Sequence, residues 1–192
     1  MIHPSIKKME GIEILALWGI ISIRNPYMTD VILPANLLEE DAIDERWLNS
    51  PFKNLKRMGA KQKGKRFELI VKHLLKGQDR NHTDNDMVLN EEKVGSHEIK
   101  GSTVTKGYDN HFSFLQIRPH QVYDFLTLAC FYFDGKIEIY SIPKSDVNQM
   151  IQDNIFKKQH EGKRGAGATY CYNGSVDIFK KYIFREYKVT NG

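Results

Sequence analysis

With 192 residues, 41% of them hydrophobic and 27% charged, the chain can bury one real core, which excludes an intrinsically disordered protein and predicts a single domain. The apolar stretch from Ile12 to Ile23 carries Glu13 and is too short to span a bilayer. It also lacks a small-residue cleavage site, so a soluble, cytoplasmic protein without a membrane partner is expected. The formal net charge of +4 is mild.

In chain order, Lys7 to Arg24 reads as a helix, broken by Asn25-Pro26, and Leu37 to Leu48 as another, so residues 1–60 are expected to form a helical N-terminal region. Glu39 to Glu45 is acidic, whereas Lys53 to Arg66 is strongly basic, a footprint suited either to a phosphate backbone or to a solvated face. Lys61 to Lys76 has the clearest helical period: Phe67, Ile70, Val71, Leu74 and Leu75 fall on one face and Gly77 follows as a stop signal.

From there the period shortens. Asp86 to Leu89 and Val94 to Lys100 read as strands joined by a charged turn at Asn90 to Lys93, and Phe112 to Ile117 as a third strand of the same meander. Pro119 is placed to start a helix running to about Ala129. Cys130 to Phe133 and Lys136 to Ser141 form a hairpin about Asp134-Gly135. Pro143 to Ile155 reads as a helix, Lys157 to Gly167 as a Gly- and Lys-rich loop, and the remainder as a strand and a terminal helix. This order predicts an α/β domain, a mixed central sheet flanked by helices, with residues 61–192 as its core. Cys130 and Cys171 lie far apart in apolar surroundings, as buried thiols do, and neither has a neighbour at zinc-finger spacing.

The residues with the most chemistry are Asp86, near the start of one strand, and Glu98-Ile99-Lys100, at the end of the next. Strand alternation sends Glu98 and Lys100 to one side and Ile99 to the other. If the strands pair, Asp86 approaches Glu98. Two unpartnered carboxylates repel, and a magnesium ion, which takes oxygen ligands and keeps several waters, removes that difficulty. Lys100 would add a positive charge beside an attacked phosphate. A surface strand bearing an ion pair also accounts for so short a motif. His97 points to the opposite side and reads as a packing residue, and Asp109-Asn110-His111 reads as a loop. Lys163 to Gly167 lacks the spacing of a phosphate-binding Walker loop.

Gly64-Lys-Arg-Phe-Glu68, a Gly-x-x-x-Glu pattern, places Glu68 on the amphipathic helix, and with polar Gln116 on the strand after Glu-x-Lys it completes a pattern. It resembles the PD-(D/E)xK nuclease superfamily over roughly residues 64–140. The resemblance implies a restriction-endonuclease-like fold and a Mg2+-dependent DNA endonuclease, with Mn2+ able to substitute. Asp86, Glu98, Lys100 and Glu68 would be catalytic, and Asp86, Glu98 and the Ile99 carbonyl would hold the metal. Gln116 matches a polar third-strand position more loosely. Asn85 stands where the family motif has proline, and Asp84 shares a strand side with Asp86, so Asp84 remains an alternative ligand. In size and layout the chain is similar to the catalytic small subunit of a heterodimeric type IIS restriction endonuclease. That implies double-stranded DNA and a larger recognition subunit as partners, with Lys63, Lys65, Arg66, Lys163 and Arg164 as candidate DNA contacts. A structure-specific repair or recombination nuclease and a non-catalytic nucleic-acid-binding adaptor are the alternatives.

Overall fold

The computed structural model describes residues 13–15, 22–24, 44–79, 85–162 and 167–189. The chain divides into two compact units, Met1–Ala42 and Ile43–Gly192. In the first, β1 (Glu13–Leu15) and β2 (Ser22–Arg24) pair antiparallel, with Ile14 opposite Ile23. This corrects the helix expected from Lys7 to Arg24; of the helix expected from Leu37 to Leu48, residues 37–43 lie outside the described residues and Glu45–Trp47 form a 3-10 turn. Isoleucines at 12, 14, 20, 21 and 23 are stiff at χ1 and favour extended backbone, which outweighs an apolar spacing that also suits a helix.

The second unit opens with a 3-10 turn, Glu45–Trp47, where Asp44 accepts the Arg46 backbone N–H. The short helix α1 (Lys53–Arg57) and the long helix α2 (Ala60–Leu75) follow. α2 buries Phe67 and Val71 and rests Ile70, Leu74 and Leu75 against the core, the face its period predicts. It stops at Lys76, which itself adopts the left-handed conformation (φ 52). Gly77 is needed for a different reason from the predicted stop: a Cβ there would lie 2.6 Å from Met87 Sδ.

β3 (Met87–Leu89) and β4 (Gly95–Thr103) pair antiparallel, Met87 opposite His97. β4 then pairs in parallel with β6 (Phe125–Phe131), from His97↔Phe125 to Thr103↔Phe131. β6 and β7 (Lys136–Pro143) form the hairpin expected about Asp134-Gly135, with Gly135 at φ 92. β10 (Ile183–Lys188) completes a mixed sheet of order β10-β7-β6-β4-β3. α3 (Lys144–Gln152) lies within the helix predicted from Pro143. Phe67 of α2 stacks on Phe131 of β6 at 4.7 Å. Gly101 of β4 lets that ring approach, since a Cβ there would collide with Phe67.

Four expectations fail for identifiable reasons. β5 (His111–Ile117) is not the third strand of the meander; it joins β8 (Lys157–His160) and β9 (Thr169–Ser175) in a second sheet of order β5-β9-β8. One edge of β4 is taken along its length by β6, and β5 pairs with β9 rather than with the part of the other edge that β3 leaves. The predicted helix from Pro119 to Ala129 is a loop followed by β6. Leu126 to Phe131 are buried on both faces, and a doubly covered strand is a continuous apolar run without the alternation that marks half-buried strands. The expected loop from Lys157 begins as β8. The terminal helix is instead a 3-10 segment, Val176–Tyr182, leading into β10. Among the described residues no helix is long and apolar enough to cross a membrane.

Candidate active site

The β3–β4 pairing assembles the predicted residues. Asp86 precedes β3 but stays in line with it, donating its backbone N–H to the His97 carbonyl at 2.8 Å. Continuing the Met87↔His97 register by one residue sets Asp86 opposite Glu98, and cross-strand partners share a face. Lys100 lies two residues beyond on that face, its Nζ donating to Glu98 Oε1. Ile99, between them, is buried on the other side as alternation requires.

The strand ladder ends at Met87↔His97, so beyond that pair this edge of β4 lacks β3. Asp86 fills part of the gap: its Oδ2 accepts the Ile99 backbone N–H at 2.7 Å. A strand residue sends its N–H and carbonyl to the same edge, so the Ile99 carbonyl faces the Asp86 side as well.

Glu98 is only 4% exposed. Burial pushes its carboxyl pKa up; Lys100 and Arg118 pull it down, the charge of Asp86 pushes it up again, and the net direction is upward. The site thus contains a carboxylate whose charge is under-compensated. The half-buried Asp86, the buried Glu98 and the Ile99 carbonyl offer oxygens of the kind a hard divalent cation takes, and such an ion would offset the repulsion between the two carboxylates.

Glu68 is not brought into this group. It sits half-buried on α2, with Oε2 accepting from Lys65 Nζ at 3.2 Å. Among the described residues no set of three Asp, Glu, His or Cys side chains is placed to hold a metal ion. Gln116 lies in the second sheet, at φ 57 in an irregularity between Phe114 and Ile117, with its backbone N–H donated to Gln159 Oε1 at 2.9 Å. His97 is fully buried; its ring nitrogens contact Thr127 Oγ1 (2.8 Å) and the Lys93 carbonyl (2.9 Å), and the ring stacks on Phe125. Burial lowers its pKa, which suits the packing role expected of it. Asp109 pairs with Arg46, and Asn110 bonds Ser175 and Asp177, so that stretch is a structural loop.

Of the candidate DNA contacts, Lys65 and Arg66 are exposed on α2 and Lys63 is half-buried. Asp84, Lys163 and Arg164 lie outside the described residues. Two of the other basic pairs are partly neutralised, Lys158 by Glu161 and Lys180 by Asp177.

The residues that sequence reasoning missed are on the 118–124 loop, which the expected helix concealed. Tyr123 is 3% exposed and its hydroxyl has no described partner; burial, then the nearby Glu98 charge, push its pKa up. Asn85 donates Nδ2 to the Val122 carbonyl at 3.3 Å, tying this loop to the residue before Asp86, while its Oδ1 is buried without a partner. Asp124 fastens the loop to β4 by accepting the Ser96 N–H and hydroxyl, both at 2.7 Å. Arg118 donates to Gln116 Oε1 at 3.0 Å. The available signal was Pro119 directly after a strand followed by an isolated Tyr, which fits a rigid loop as well as a helix start. No protein-family model matches the chain, and no curated protein does.

Proposed function

We propose that the chain is a divalent-metal-dependent deoxyribonuclease that hydrolyses a DNA phosphodiester at Asp86, Glu98 and Lys100. The observation that carries this reading is the nearly buried Glu98, opposite a second carboxylate and paired with a single lysine. A fold that served only stability would gain little from such an arrangement, because removing like charges from water is costly. Asp86, Glu98 and the Ile99 carbonyl would hold magnesium. Such an ion supplies Lewis-acid stabilisation of the phosphoryl oxygens and an acidified water.

The protein's own part is positional. Asp86 is fixed by the Ile99 N–H and Glu98 by burial and Lys100, so the donors are held before substrate arrives. Lys100 sets positive charge on the same face, where charge develops on a phosphoryl group under attack. The exposed cations of α2, Lys65 and Arg66 with half-buried Lys63, are suited to more distant backbone phosphates. One chain supplies one such set, so it cuts one strand, and the narrower reading makes it the strand-cleaving subunit of a restriction endonuclease whose larger partner recognises the site.

The test is a nicking assay in Mg2+ and in Mn2+ on plain, mismatched and branched duplexes, with and without candidate partner proteins. Nicking of plain duplex that depends on a partner supports the restriction reading. Preference for mismatches or branches replaces it with a repair nuclease. No cleavage of any substrate overturns the nuclease reading in favour of an adaptor, and full activity in Asp86→Ala or Lys100→Ala overturns the assignment of the site.

A further inference from the structure

Asp86 stands just beyond Met87↔His97, the last pair of the β3–β4 ladder, so the ladder holds it from one side only. Its backbone N–H reaches the His97 carbonyl (2.8 Å) and its Oδ2 accepts the Ile99 N–H (2.7 Å). On the other side the next hold comes from Asn85. That residue is 7% exposed, and its Nδ2 donates to the Val122 carbonyl at 3.3 Å. Because a carbonyl only accepts, this contact sets which way the amide faces and turns Oδ1 away from it. Oδ1 is buried without a partner.

The loop that receives Asn85 is a fixed support. Asp124 accepts the Ser96 N–H and hydroxyl, both at 2.7 Å, and returns its own N–H to the Ser96 carbonyl at 2.9 Å. Gly95 makes room for this clasp, since a Cβ there would lie 2.7 Å from Asp124 Oδ2. From α3, Lys144 gives its backbone N–H to the Asp124 carbonyl (2.9 Å) and its Nζ to the Gln121 carbonyl, and that Nζ rests 4.7 Å from the centre of the buried Tyr123 ring. The Val122 carbonyl thus belongs to a segment pinned to β4 and to α3 at once.

For stability alone Asn85 is a poor choice. A buried amide that makes one long bond and leaves its acceptor unsatisfied costs free energy that an apolar side chain of similar size avoids. Such costs are tolerated where position matters. We infer that Asn85 is a positioning residue: its amide fastens the backbone directly before Asp86 to the 118–124 loop, and so fixes the Asp86 carboxylate against β4. The tie itself depends on no reaction; its consequence for catalysis rests on the nuclease reading.

The direct readout is amide hydrogen exchange at Ile99, whose N–H is held by Asp86 Oδ2, followed by NMR in the full chain. Asp86→Ala marks the rate with that bond gone. Asn85→Leu, which keeps the volume and removes the donor, and Asn85→Ala should each speed exchange at Ile99 about tenfold toward that limit, the factor that matches the net worth of one hydrogen bond. The amides of β6 and β7 should stay within about twofold of wild type, because the opening is local. With Mg2+, duplex DNA and any partner that activity requires, both variants should lower the saturating cleavage rate by about 10- to 100-fold at a KM within about twofold, since a displaced carboxylate loses orientation rather than substrate affinity. Unchanged exchange at Ile99 in both variants overturns the inference. So does faster exchange throughout β4, β6 and β7, or failure of both variants to fold, either of which would make Asn85 a residue of the fold alone. Full cleavage despite faster exchange at Ile99, where wild type cleaves, overturns its bearing on catalysis and leaves the nuclease reading standing. Where wild type cleaves nothing, faster exchange at Ile99 upholds the tie to Asp86, and the nuclease reading alone falls.

Discussion

Two glutamate–lysine pairs, each two residues apart on a strand of the same sheet, meet opposite fates. In β7, Glu138 is 8% exposed and accepts from Lys136 Nζ (2.6 Å), Tyr140 (2.8 Å) and Tyr132. Burial would raise its pKa, but these bonds outweigh it and hold the carboxyl below its ordinary value. In β4, Glu98 is buried to a similar degree, has Lys100 and a competing carboxylate, and ends with its pKa raised, beside a tyrosine hydroxyl that bonds nothing described. The spacing of Glu and Lys therefore says little by itself. Whether neighbouring groups complete the hydrogen bonding of the carboxylate separates a structural pair from a candidate reactive one.

The largest expected effects break this contrast directly. Glu98→Gln and Lys100→Ala should each lower cleavage by about 100-fold or more, with little change in thermal midpoint. Glu138→Gln should leave cleavage within about twofold while lowering stability by about 1–3 kcal/mol, because two tyrosine hydroxyls and a lysine lose a charged acceptor. Mg2+ should raise the thermal midpoint of wild type and of Glu138→Gln, through binding to the folded state, but not that of Glu98→Gln. If Glu138→Gln loses cleavage as well, the two pairs are not functionally distinct.

The pH dependence of stability sharpens the same contrast. Because Glu138 has a lowered pKa in the fold, its contribution is fully present above the unfolded glutamate value of about 4.3 and is lost as pH falls through the folded one. Urea midpoints of wild type and Glu138→Gln should therefore differ at neutral pH and converge as pH drops below about 4. A constant difference down to the acid limit would mean that the glutamate acts by shape alone.

The contrast also explains what could be read from the sequence. That Asp86, Glu98 and Lys100 would share one face was legible because strand alternation and antiparallel pairing are local rules, and the β3–β4 turn obeys them. The amphipathic face of α2 was identifiable for the same reason. What failed depended on partners distant in sequence. β6 reads as a helix because both its faces are covered, and β5 pairs with β9, a partner far along the chain that no window of residues contains. With β6 misread, the 118–124 loop vanished, and with it Tyr123 and Arg118. Glu68 fitted the spacing, but on α2 it reaches Lys65 and is not brought together with the strand carboxylates. Glu68→Gln should accordingly lower cleavage far less than Glu98→Gln, by no more than about tenfold, and change stability by less than about 0.5 kcal/mol, as exposed helix pairs do.

Two glycines on either side of the α2 contact offer the smaller effects. Gly101→Ala would drive a methyl into the Phe67 ring, at the point where α2 rests on β4, and should cost about 1–3 kcal/mol. Gly64→Ala, on α2 itself, has nothing within 4 Å of the new methyl, and the residue is exposed in the helix interior. Alanine there removes the entropy cost of glycine in a helix and should stabilise the chain by about 0.5–1 kcal/mol. Cleavage should be unchanged, because α2 bears on the site through Phe67 and Gly101 rather than through the glycine that begins the Gly-x-x-x-Glu pattern. A stabilised Gly64→Ala that cleaves poorly would show instead that DNA or a partner approaches the α2 backbone at that position.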